Sequence, residues 1–221
     1  MLRKIKKWIK SVNVVEAIAW GGLALFLCIS VATAYAHPTD QTLRRAIAAP
    51  VHQMQEPGIS CSVVMVAPER ALTAAHGLRM QEPPVEINGA RYPVEVGYQL
   101  GNEDLALLII PSAPCPCANY AETFPVDGDW LAAVGFPFGL HKVVTYGEMQ
   151  GYIVYEDGMQ YILTTTLGAP GNSGGGLFNE HGDLVGITVM GAQGHSMFAV
   201  WIDPNKTYPL GAARVFGPKT Q

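Results

Sequence analysis

From about residue 59 to residue 200 the chain runs in short apolar stretches broken by turn residues, with no helical periodicity between them. That spacing constrains the fold more than any other feature, because helices need longer amphipathic runs and parallel α/β sheets need them between strands. It predicts strands at Ile59–Val66, Ala71–Ala75, Val85–Ile87, Tyr92–Tyr98 and Leu105–Ile110, with a turn at 67–70. A second series follows at Trp130–Gly135, Lys142–Val154, Tyr161–Thr165, Gly175–Phe178, Leu184–Met190 and Met197–Val200. Between the two series, Pro111–Pro125 is rich in Pro and Ala and reads as a connector. Many antiparallel strands at this spacing build barrels or sandwiches, so the chain is read as all-β. Composition agrees: 24 Gly, 16 Pro and only 14% charged residues leave little material for exposed helices.

The amino-terminal 36 residues are of another kind. Arg3, Lys4, Lys6, Lys7 and Lys10 form a basic stretch, and Ala17–Ala36 is almost wholly apolar, ending Ala34-Tyr35-Ala36. Small residues at 34 and 36 fit a signal-peptidase site, while the length also suffices to span a bilayer as a hydrophobic helix. Residues 1–36 are therefore expected to be a cleaved signal or a retained anchor, with the remainder exported. Cys28 follows Leu27, too large for a lipoprotein cleavage site. Residues 37–57 read as a linker, with a short helix around Thr42–Ala48. The net charge is −4, and the body after the basic stretch is acidic without a basic patch. Nucleic acid is thereby excluded as an expected partner.

Three segments carry chemistry. Thr73-Ala74-Ala75-His76 ends an apolar strand, Asp104 opens Leu105-Ala106-Leu107-Leu108, and Ser173 lies in Gly171-Asn172-Ser173-Gly174-Gly175. A serine hydroxyl becomes a useful nucleophile only when a base takes its proton, and the base needs a carboxylate to orient it. A glycine-rich turn leaves backbone N–H groups of Gly171 and Ser173 free to converge on a developing oxyanion, with Asn172 between them.

These three motifs together resemble the trypsin-like superfamily, and its HtrA/Deg-type branch most closely. Gly128-Asp129-Trp130, Val134-Gly135-Phe136-Pro137-Phe138-Gly139 and Leu184-Val185-Gly186-Ile187 resemble further segments of that branch. The resemblance implies a chymotrypsin-like fold of two six-stranded antiparallel β-barrels. It puts the protease domain at 58–215, with barrel one at about 58–110, a connector at 111–125 and barrel two at about 126–215. It implies a serine endopeptidase that hydrolyses peptide bonds of exported proteins, with His76, Asp104 and Ser173 catalytic. Polypeptide would be the substrate, and no cofactor is implied. The alternative is a proteolytically silent binding or scaffold protein of the same fold. The chain carries no PDZ-like continuation before Gln221, so peptide sensing through such a module is not expected. Ala169 stands where the family has Asn before Pro170.

By the register of the serine motif, Leu167 lies at the base of the primary specificity pocket, with Met190 and Gly191 on its wall. No carboxylate occurs there, so small to medium apolar side chains are expected at the cleaved bond. Cys61 stands fifteen positions before His76, like a half-cystine of many relatives, but its partner's position is Gly77. Cys115-Pro116-Cys117 resembles the paired cysteines that hold a structural zinc in some viral proteases of this fold, with His181 as a third candidate ligand. Asn172 directly before the serine is neutral. An inserted amino terminus would find no charge partner there, so activation by propeptide cleavage is not expected.

Overall fold

The computed structural model describes residues 41–56, 59–79, 84–101, 103–154, 160–192, 196–201 and 210–215. The apolar segment 17–36, with its expected helix, lies outside them. One helix, α1 (Gln41–Ala48), precedes a series of strands. The first group is β1 (Val51–Glu56), β2 (Ile59–Ala67), β3 (Arg70–Thr73), β4 (Val85–Ile87), β5 (Ala90–Tyr92), β6 (Val96–Leu100) and β7 (Ala106–Ile109). After the connector come β8 (Trp130–Gly135), β9 (Val143–Val154), β10 (Gln160–Thr164), β11 (Gly176–Phe178), β12 (Leu184–Ala192), β13 (Ser196–Trp201) and β14 (Leu210–Val215).

Six strands of the second group, β8 to β13, close into an antiparallel barrel in the order β10-β13-β12-β11-β8-β9. The first forms a curled eight-stranded sheet, β14-β6-β7-β3-β2-β1-β4-β5, rather than a second closed six-stranded barrel. Two strands account for the difference. β1 lies before Gly58, where the sequence reads as linker, and pairs with β2 from Val51↔Val64 to Glu56↔Ile59. β14 returns from the carboxy-terminal end to pair with β6. The expected strand Tyr92–Tyr98 is split into β5 and β6, with Pro93 in the break; proline has no N–H to give to a ladder.

The alternation of side chains explains why β2 and β8 read as unbroken apolar runs. On β2, Cys61, Val63 and Met65 face the core of the first sheet, together with Met54, Val85, Ile87 and Leu108. Val64 faces the other way, into a cluster with Val51 and Leu72 that also takes Ala132, Val134, Phe178 and Ile187 from the barrel. On β8, Leu131 and Ala133 fill the barrel interior while Ala132 and Val134 face this shared seam. Both faces of each strand are buried, so hydrophobic burial joins the two halves as firmly as it fills each one. Leu43 of α1 packs on the seam and Ile47 is wholly buried in it. The side chain of Lys142 donates to the carbonyl of Ala48 (2.6 Å), satisfying a terminal acceptor of the helix.

Candidate active site

His76 sits in a 3₁₀ turn, Ala75–Arg79, that follows directly from β3. β3 ends at Thr73, two residues earlier than the apolar pattern suggests, because Gly77 N–H bonds back to Ala74 C=O (3.1 Å) and closes the turn. β3 pairs with β7 through Leu72↔Leu107 and Thr73↔Ala106, which brings the residue preceding Leu105 alongside His76. Asp104 uses both carboxylate oxygens there. Oδ2 lies 2.7 Å from His76 Nδ1, and Oδ1 accepts the backbone N–H of His76 at 2.7 Å. An ionised carboxylate only accepts, so the ring proton is held on Nδ1 and Nε2 is left as the basic nitrogen.

The serine turn is fastened to both halves of the molecule. Its chain folds back through Asn172 N–H to Ala169 C=O (3.0 Å) and Gly175 N–H to Asn172 C=O (2.8 Å). Thr188 of β12 ties it from within: Gly174 N–H donates to Thr188 C=O, and the Thr188 hydroxyl donates to Asn172 C=O at 2.7 Å. Across the seam, Ser62 N–H of β2 donates to Ser173 C=O at 2.8 Å. Gly174 has φ +86°, and a Cβ there would run into Ser62 C=O and the Thr73 hydroxyl. Only glycine permits this approach, which sets Ser173 against the strand that ends three residues before His76. The Ser173 hydroxyl itself donates to Val189 C=O, at a long 3.4 Å.

Gly171 has φ +100°, and a Cβ would strike Phe136 C=O. The Ser62 hydroxyl, fully buried, accepts Phe136 N–H (3.0 Å) and donates to Gly171 C=O (2.8 Å). With that carbonyl turned inward, the N–H groups of Gly171 and Ser173 meet no acceptor among the described residues. Asn172 plays another part: its N–H goes to Ala169, and its side chain is buried against Gly135 with Oδ1 unpaired. It shapes the turn and does not donate beside Gly171 and Ser173.

Of the expected pocket residues, Leu167 is 55% exposed, and its carbonyl accepts the Thr145 hydroxyl of β9 at 2.8 Å. Met190 and Gly191 lie on β12 in register with Phe198 and Met197 of β13; their side chains are outside the described set. The zinc reading is corrected. Cys115 and Cys117 form a disulfide with each other and so hold no thiolate for a metal. His181 lies 3.8 Å from Glu180, and no group of three or more metal-ligating side chains forms among the described residues. Cys61 is a buried free thiol beside Gly77, and burial raises its pKa above the ordinary value. Sequence reasoning passed over Ser62 and Thr188. The signal for Ser62 was a hydroxyl interrupting the apolar run of β2, a position that only pairing across the seam makes meaningful.

Comparison with known proteins gives a consistent set of relatives. A model of the Trypsin-like peptidase domain matches residues 61–187. A probable periplasmic serine endoprotease, DegP-like, from Hahella chejuensis is 36% identical over 88 residues, 38% of this chain and 19% of that protein. Its counterpart from Chlamydia pneumoniae is 33% identical over 105 residues, 45% of this chain and 22% of that protein. The chain thus spans about a fifth of the length of the curated relatives it matches. Among solved structures, the Rv3671c protease of M. tuberculosis in its inactive form superposes with a TM-score of 0.66. The two are 19% identical, and the match covers 75% of this chain and 90% of that one.

Proposed function

The chain belongs to the trypsin-like peptidase domain family, and from that premise we propose that it is a serine endopeptidase working through His76, Asp104 and Ser173. The observation that carries this reading is the double grip of Asp104 on the ring and backbone of His76, 2.7 Å each. In the proposed reaction, Ser173 Oγ turns from Val189 C=O towards His76 and attacks the scissile carbonyl carbon as Nε2 takes its proton. The imidazolium so formed is stabilised by Asp104 and returns the proton to the leaving amine. The acyl group remains on Ser173 until water, deprotonated by Nε2, releases it. Gly171 and Ser173 N–H groups donate to the oxyanion; one such donor lowers the barrier by about 3 kcal/mol.

The substrate class is polypeptide, matching what the DegP-like relatives are named for, with an apolar residue preferred before the cleaved bond. A peptide library cut chiefly after Arg or Lys would contradict that preference. The site of action is outside the cytoplasm, consistent with the periplasmic relatives and with the basic-then-apolar amino terminus. The neutral, buried Asn172 supports activity without propeptide cleavage.

The deciding experiment is labelling with a serine-directed fluorophosphonate together with casein digestion. The protein labels and digests, Ser173→Ala abolishes labelling, and His76→Ala reduces both to near background. Undiminished digestion by Ser173→Ala would remove the assignment.

A further inference from the structure

A cleft of about 390 Å³ opens at the seam, between β1 and β4 of the first sheet, the connector, and the segment joining β8 to β9. Ala49, His52, Glu86, Pro116, Phe136 and Lys142 contribute to its lining. Two of its polar groups are not provided for. His52 is 5% exposed, and its Nε2 is buried with no hydrogen-bond partner among the described residues. Lys142 is half-buried, and its ammonium makes one hydrogen bond, to Ala48 C=O, and sits 5.7 Å from the centre of the Phe136 ring. No carboxylate lies within ion-pair distance of it among the described residues.

A desolvated ammonium with spare N–H groups favours an acceptor, and so does the unpartnered His52 Nε2 in the tautomer that protonates it. Burial and the nearby charge of Lys142 both depress protonation of His52, so the ring is neutral, and in its Nε2–H tautomer it offers a single donor. Both side chains line the same cleft, and a monoanion with two oxygens has one acceptor for each. The nearby Glu86 opposes a dianion, and the walls offered by Phe136, Pro116 and Ala49 suit an apolar stem. We propose that this cleft is a binding site for a carboxylate, held by Lys142 Nζ and His52 Nε2, whether of a small organic acid or of a polypeptide carboxy terminus. Phe136, which lines it, is the residue whose N–H the Ser62 hydroxyl accepts, so the cleft abuts the bonding chain that fixes Gly171. The site does not depend on the protease reading, and it is tested by binding alone.

The test is a titration of the full chain with sodium acetate at constant ionic strength, following the histidine ring proton resonances by NMR. The His52 signal is identified by its loss in His52→Gln, or in His52→Asn if the first variant does not fold. A saturable shift of that signal is expected, with a dissociation constant on the order of 1 mM. Lys142→Gln keeps a donor for Ala48 but no charge and should weaken binding at least about tenfold, while Lys142→Arg should retain it. A short apolar peptide with a free carboxy terminus distinguishes the sources. Tighter binding than acetate identifies a polypeptide end, and equal binding identifies a small acid. An unmoved His52 signal, an undiminished response in Lys142→Gln, or equal binding of the amidated peptide would each overturn the site.

Discussion

Asp104 accepts two hydrogen bonds from a single histidine, and that doubling sets what substitution there should do. In Asp104→Asn an amide N–H can face Nδ1, which then must accept, and the proton moves to Nε2 where the base is needed. Fluorophosphonate labelling should slow by about 10⁴-fold with the fold intact by circular dichroism. Gly174→Ala should act differently, because a methyl group at φ +86° meets Ser62 and Thr73. Both urea stability and labelling should fall together, and loss of labelling at undiminished stability would refute the packing account. His52, lowered to about 4 by burial and by Lys142, provides a third test. Its unfolded value is about 6.5, so between pH 6.5 and 4 the unfolded chain binds the extra proton. Stability contributed by the neutral ring is thus present above 6.5 and lost as pH falls, by on the order of 3 kcal/mol. The charged groups lining the same cleft are Lys142 and Glu86. Urea unfolding across this range should show a shallower loss in His52→Gln than in the wild type. The three proposed catalytic residues were legible in the sequence because each stands in a short motif set by local backbone needs. His52 was not, since nothing in Val51-His52-Gln53 says that a connector and a barrel loop will cover it.

At the scale of elements, the seam between sheet and barrel positions the serine. β2 donates to Ser173 C=O, and its Ser62 side chain links the loop after β8 to the serine turn. Ser62→Ala leaves a buried carbonyl and a buried N–H without partners. It should cost about 1–3 kcal/mol in urea unfolding and slow labelling of Ser173, while Ser62→Thr should restore part of both. An unchanged labelling rate in Ser62→Ala would show that the bridge does not order the turn. Strand positions were well marked by short apolar stretches between turn residues, as at Val85–Ile87 and Trp130–Gly135, where reading and structure coincide. Breaks set by hydrogen bonding were marked less well. The early end of β3 depends on the turn that carries His76, which alternation cannot register.

Across the whole molecule, the connector is tied near its middle to both halves by backbone bonds, Ala118 N–H to Met65 C=O of β2 and Leu184 N–H of β12 to Asn119 C=O. The Cys115–Cys117 disulfide spans a sequence separation of only two, and a loop so short restricts the unfolded chain little. Reduction, or the double change Cys115→Ser/Cys117→Ser, should therefore lower stability by less than about 2 kcal/mol in urea unfolding. A collapse of the fold would contradict this. What the sequence determined by itself is the all-β class, most strand positions and the motifs bearing His76, Asp104 and Ser173. These depend on period-two burial and on turn chemistry within a few residues. Tertiary structure alone decided that β14 completes the first sheet beside β6, more than a hundred residues away in the chain. It also decided that Cys115 meets Cys117, that Ser62 bridges two loops, and that His52 and Lys142 share one cleft. Apart from the local Cys115–Cys117 disulfide, each is a contact between distant segments, and its free energy exists only once the seam has excluded water and brought those segments together.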